Sequence, residues 1–226
     1  NKMLIDETFF ERSIMIPNVE EPTPNNRTAN VLVETIEICE DEVLSYAFGV
    51  PMWKDFKEAY TTNHDTISQV YKDILKGKTY TKDDKEYYWK GLIDYDLKKS
   101  LLADYTYYVY QTANVTQQTE FGQSSTNVKV GEKASSTPKI IKAWNEFIFQ
   151  LQGESVQNVS GYTQEGNPFR VISNRLVNGY GISYYNEYAG NNEVSLMKFL
   201  DDNRSSYPLL REAGVIQLER QNSFGI

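Results

Sequence analysis

Apolar side chains recur at helical spacing over one long stretch, and this restricts the fold more than any other feature of the chain. Leu32, Ile36, Cys39, Val43 and Ala47 stand at i, i+4, i+7, i+11 and i+15, a stripe that an α-helix gathers on one face. The spacing predicts a helix over 29–47, stopped by Gly49 and Pro51. Cys39 falls on the stripe and reads as a small core residue rather than a reactive thiol. As the only cysteine it has no intramolecular disulfide partner, and the only histidine, His64, cannot by itself assemble a zinc or haem site of the ordinary kinds.

Further helical segments follow. Pro51 suits the first turn of a short helix carrying Trp53, Phe56 and Tyr60, and a third is expected over 65–76 with Ile67, Val70, Tyr71, Ile74 and Leu75, ending at Gly77. Residues 78–89 place β-formers on both sides of Asp83-Asp84, the pattern of a small hairpin. A helix over 92–113 would align Leu97, Leu101, Tyr105, Tyr108 and Thr112 on one face. Ser136-Thr137-Pro138 opens another, whose buried stripe runs through Ile140, Trp144, Phe147 and Leu151 to Gly153. The expected class is mainly α: a helical domain with a small β-hairpin, a long inter-helix loop and an aromatic Gly/Asn-rich insertion.

These elements divide the chain. Residues 1–28 read as an extended N-terminal arm, interrupted by Pro17, Pro22 and Pro24, that needs a surface to lie on. The helical core spans 29–153 and carries a projecting polar loop over 114–136, in which only Val128 and Val130 suggest brief β pairing. Residues 154–192 form an irregular or β-containing insertion, where five glycines mix with Tyr162, Tyr180, Tyr184, Tyr185 and Tyr188. Residues 193–226 are expected to form a C-terminal helix and a tail packing on the core or a neighbour, since the tail ends on Phe224-Gly225-Ile226.

Charge and chemistry narrow the function. Against 23 Lys and Arg stand 31 Asp and Glu, a net charge of −8, which argues against a chain whose main task is gripping phosphate. Residues 1–7 turn acidic before an apolar run develops, so no secretory signal is expected there, and no segment is apolar enough to suggest a membrane span. The phosphate loop, the Gly-x-Ser-x-Gly elbow and the His-Glu-x-x-His pair are absent from the sequence. The acidic clusters Glu40-Asp41-Glu42, Asp83-Asp84 and Asp201-Asp202 read as helix exteriors or turn tips, with no proton-transfer partner or metal-ligand set beside them. No catalytic residue, cofactor or metal is assigned, and the chain is expected not to be an enzyme.

The series Leu75-x-Gly77-x-Thr79-Tyr80, then Trp89-x-Gly91-Leu92, resembles head-to-tail connector proteins of tailed bacteriophages. So do the Tyr-rich helix, the Thr/Gln/Phe/Gly loop, Lys142-Ala143-Trp144-Asn145-Glu146 and the ending Asn222-Ser223-Phe224-Gly225-Ile226. The nearest likeness is to proteins of phages infecting Bacteroidetes, including crAss-like phages; it covers residues 3–151 and the last few, leaving the insertion without a counterpart. The resemblance implies a portal adaptor or neck ring protein of the virion, a homo-oligomer commonly of twelve copies. Its partners would be the portal and the tail or lower neck ring proteins, with double-stranded DNA passing through without specific binding. An arm, a projecting loop and an apolar tail each suit a ring, which offers every segment a neighbour. The interface residues expected on this basis are Phe121, Val128, Val130, Tyr184, Tyr185, Phe224 and Ile226. Acidic side chains are expected to face the DNA passage. An alternative is a carbohydrate-binding or adhesion module that uses the insertion tyrosines, because amphipathic rings stack on sugars as readily as they serve interfaces.

Overall fold

The computed structural model describes residues 3–17, 19, 26–62, 67–114, 117–119, 122–124, 137–155, 168–169, 193–212 and 218. The fold is mainly helical with small two-stranded antiparallel pairings. Helix α1 (Arg27–Phe48) starts where the Asn26 side chain accepts a hydrogen bond from the Ala29 N–H (3.1 Å), which satisfies one of the first-turn donors. It buries Leu32, Ile36, Cys39, Val43 and Ala47, as the stripe predicts, and stops at Gly49, whose φ is 82°. Helix α2 (Val50–Thr62) follows at once and buries Met52, Trp53, Phe56 and Tyr60; α3 (Gln69–Lys76) is short and ends at Gly77.

Strands β1 (Lys78–Lys82) and β2 (Lys85–Trp89) form the expected hairpin, in register from Lys78↔Trp89 to Lys82↔Lys85. Its two turn residues, Asp83 and Asp84, have φ of 52° and 60°, the left-handed pair that a tight hairpin turn requires and that Asp tolerates. The hairpin leaves α3 and returns to it across two glycines. A Cβ on Gly77 would lie 2.5 Å from the Trp89 carbonyl oxygen, and one on Gly91 would lie 2.6 Å from the Lys76 carbonyl carbon. Both have strongly positive φ, 94° and 99°, so the crossing of the two backbones needs glycine for space and for conformation.

The helix expected from residue 92 begins at residue 101. Strands β3 (Ile93–Asp94) and β4 (Lys99–Ser100) pair first, around a turn in which Asp94 accepts from the Leu97 N–H (2.8 Å) and Lys98 takes φ 51°. Ser100 Oγ then accepts from the Leu102 N–H (3.1 Å) as α4 (Leu101–Asn114) starts. Short polar side chains outbid the helical period here by bonding nearby main chain, and Leu97, expected on the buried face, is 48% exposed. Helix α5 (Thr137–Leu151) lies along α4, which also packs on α1. Between α4 and α5, β5 (Gln117–Thr119) pairs with β6 (Gly122–Ser124), while Val128 and Val130, expected to pair briefly, lie outside the described residues. In the insertion, β7 (Glu154–Ser155) pairs with β8 (Pro168–Phe169).

The N-terminal segment corrects the expectation of an extended arm. Residues 7–9 and 12–14 form single 3₁₀ turns, and Leu4, Ile5, Phe9, Phe10 and Ile16 are buried in the chain's own core. Prolines break helical pattern but do not exempt two phenylalanines from burial, and each large ring removes too much apolar area from water to stay outside. At the other end α6 (Leu196–Asp202) is capped by Ser195 and buries Leu196, Phe199 and Leu200. Beyond it the Arg211 N–H donates to the Phe48 carbonyl (2.9 Å), and Leu218 and the Gln152 side chain exchange two hydrogen bonds. The described part of the C-terminal segment therefore packs on the core.

Gly91→Ala should destabilise the fold by at least about 2 kcal/mol, since it adds left-handed strain to a backbone clash. The urea midpoint should fall with an unchanged slope; an unaltered midpoint would remove the crossing from the features that hold the fold.

Candidate functional site

All seven residues expected at an interface, Phe121, Val128, Val130, Tyr184, Tyr185, Phe224 and Ile226, lie outside the described residues, as does His64. The described surface offers two clefts, an acidic helix face and a few exposed apolar side chains.

The first cleft, about 180 Å³, lies between the 12–14 turn, the β3–β4 turn, α4 and α5. Lys98, Lys99 and Lys142 border it with Asp104, Glu146 and Gln150. The Gln150 amide donates to Asp104 (2.7 Å), and the Lys98 ammonium sits 5.0 Å from the centre of the Phe9 ring. Charges of both signs border it. The second cleft, also about 180 Å³, is more apolar, lined by Met52, Val70, Tyr71, Tyr207, Pro208 and Leu209, and Tyr71 donates to Asp55 at its edge. Leu209, Leu97, Ile38 and Met15 are about half exposed, from 46% to 60%, and offer apolar anchors on different parts of the surface.

The exposed face of α1 carries Glu34, Glu37, Asp41 and Glu42 around Ile38. Asp41 accepts from the Trp53 indole (2.8 Å) and Glu42 from the Tyr105 hydroxyl (3.0 Å). Two neighbours on the same helix are buried. Cys39 is fully enclosed, and desolvation pushes its thiol up to about 12, so it stays a protonated core residue. Glu40, expected on a helix exterior with its acidic neighbours, is only 6% exposed, and its carboxyl is pushed up to about 7 by desolvation despite two main-chain N–H groups that favour the anion.

A second buried carboxylate fastens α6 to the hairpin. Asp202 accepts from Tyr80, Lys82 and Lys198, each at 2.7 Å. Burial works to raise this carboxyl, but Lys198, Lys82 and Tyr80 together outweigh it and hold it below the usual carboxylate value. Burial and the Asp202 charge together raise the Tyr80 phenol. The Asp201-Asp202 pair had read as a solvated helix end; nothing in local spacing announces a partner 122 residues away. Among the described residues no group of three or more His, Cys, Asp or Glu converges to hold a metal ion, and no helix is long and apolar enough to cross a membrane.

Asp202→Ala should cost about 1–3 kcal/mol, because it removes the partner of the largely buried Lys198 ammonium and of the part-buried Tyr80 hydroxyl, while the exposed Lys82 stays hydrated. The pH dependence has a definite sign: a carboxyl held below its ordinary 3.8 stabilises the fold above that pH and loses its contribution as pH falls through the lower folded value. Urea midpoints of the variant should therefore show a smaller acid-side decline than those of the parent chain. Comparison with protein-family models, with curated proteins and with solved structures finds no match to this chain.

Proposed function

We propose that the chain is a structural subunit of a bacteriophage neck, forming a ring of about twelve copies that joins portal to tail and lets DNA pass. Its place is the virion, and its work is mechanical rather than enzymatic. The observation that carries this reading is where the connector-like residues fall in the fold. Gly77 and Gly91 make the backbone crossing, Trp89 fills the space beneath it, and Trp144 lies against Tyr105 and Tyr108 where α5 meets α4. They are the residues that set the framework, as packing motifs shared among scaffold proteins would be.

Two further features support the same reading. The paired helices α4 and α5 are joined by a 22-residue connection (115–136), long enough to reach a neighbouring subunit. The net charge of −8 suits a passage through which duplex DNA must slide without being held by counterion release. The carbohydrate-binding alternative rests on tyrosines outside the described residues, and no described feature favours it.

Mixing the purified chain with portal protein should yield a closed ring on the portal in averaged electron micrographs, with acidic side chains toward the channel. A chain that stays monomeric and binds neither portal nor tail proteins would overturn the reading, and a neutral or basic channel would overturn the charge argument. Deleting residues 117–130 should abolish ring assembly while leaving the helical circular-dichroism signal largely intact; loss of helicity would count against a loop that serves assembly alone.

A further inference from the structure

The N-terminal segment is seated by side chains and, among the described residues, fastened at its main chain by Glu40 and Tyr60. Leu4, Ile5, Phe9 and Phe10 are each at most 4% exposed against the core. One oxygen, Glu40 Oε1, accepts both the Leu4 N–H (2.8 Å) and the Ile5 N–H (3.0 Å). Tyr60 adds a long hydrogen bond of 3.4 Å from its hydroxyl to the Met3 carbonyl. Lifting this segment would expose the Glu40 carboxyl to water, because the segment is what donates to it.

The groups facing Glu40 come from each element around it. On α1 they are Glu37 and Cys39, on α2 Lys57 and Tyr60, and in the β3–β4 turn Tyr95, which the segment's Asp6 faces in turn. Lys57 is the one cation among them, and it is already engaged, 3.5 Å from Asp41 and 5.3 Å from the Trp53 ring centre. Two amide dipoles do not replace the water stripped from a carboxylate that also faces a like charge on Glu37.

We propose that Glu40 is a proton-controlled latch for the N-terminal segment: with its carboxyl neutral it holds residues 3–10 down, and when ionised it lets them lift more often. A neutral carboxyl keeps an acceptor oxygen for both N–H groups and has no charge to solvate. The ionised form gains water only when the segment opens. The four apolar side chains keep the closed state dominant throughout, and the proton sets how often it opens.

The sign follows from the direction of the shift. The docked carboxyl titrates at about 7 and the uncovered one near the ordinary 4.5, so opening releases a proton between those values. The opening constant is flat below the lower value, rises about tenfold per pH unit between them, and is flat again above the higher one, a total of about 300-fold.

Amide hydrogen exchange on the full chain, read as protection factors for Leu4 and Ile5 relative to amides of α4, tests this between about pH 4 and pH 8. The relative protection should fall with the stated slope and then level. Glu40→Gln, which keeps the acceptor oxygen without the charge, should hold its protection constant over the whole range. A flat profile in the parent chain, or a Glu40→Gln profile that falls with the parent's slope, overturns the latch. Should the variant fail to fold, the Glu40 carboxyl-carbon shift of the parent chain decides: a midpoint near 7 supports the latch and one near 4.5 overturns it.

Discussion

The indole of Trp89 joins three parts of the chain that are far apart in sequence. It is fully buried, donates to the Ile74 carbonyl at the end of α3 (2.9 Å) and stacks on Phe199 of α6 with ring centres 6.0 Å apart. The Val194 N–H reaches the Tyr88 carbonyl beside it (2.9 Å), so α6 enters along the outer edge of β2. This arrangement depends on the hairpin register, since a one-residue slip would turn Trp89 and Tyr87 to the opposite face and leave Phe199 without its stack. The paired glycines at 77 and 91 are what allow the two backbones to come close enough for the indole to reach α3.

Elements built on a sustained apolar period were legible in the sequence. Helix α1 follows its stripe within two residues at either end, the hairpin turns where Asp83-Asp84 stands, and α5 buries Ile140, Phe147 and Leu151 as spaced. Where local polar side chains compete with that period, pattern reading failed: Asp94 and Ser100 divert the chain into a short ladder and delay α4 by nine residues, from 92 to 101. Burial of the first segment was hidden for another reason, because 3₁₀ turns carry no period to read while Phe9 and Phe10 still require a core. The interface residues expected in the loop, insertion and tail fall outside the described residues. Glu40 and Asp202, which the structure does position, draw on partners 35 or more residues distant that no local pattern encodes, while the Lys198–Asp202 pair is local, four residues apart.

Glu40 and Asp202 show how counter-charge decides the behaviour of a buried acid. Asp202 is met by two ammonium groups and a phenol, and its carboxyl is drawn down. Glu40 is met by two main-chain amides, with its nearest ammonium paired elsewhere, and its carboxyl is driven up. Two amide dipoles favour the anion too weakly to offset its lost hydration, whereas full opposite charges with a phenol offset it. Asp202 thus fixes a joint permanently near neutral pH, while Glu40 leaves one responsive to it.

The dependence of β2 on α6 also orders events in time. Trp89 and Tyr80 wait for Phe199, and the Phe48 carbonyl waits for Arg211, so the hairpin and the α1–α2 corner keep apolar surface and an acceptor open until more than a hundred further residues have been made. Contacts of that sequence separation close slowly because loop-closure entropy must be met before they form. A ribosome-bound chain therefore carries helices α1 to α5 without a finished core until residues 196–212 emerge to close it.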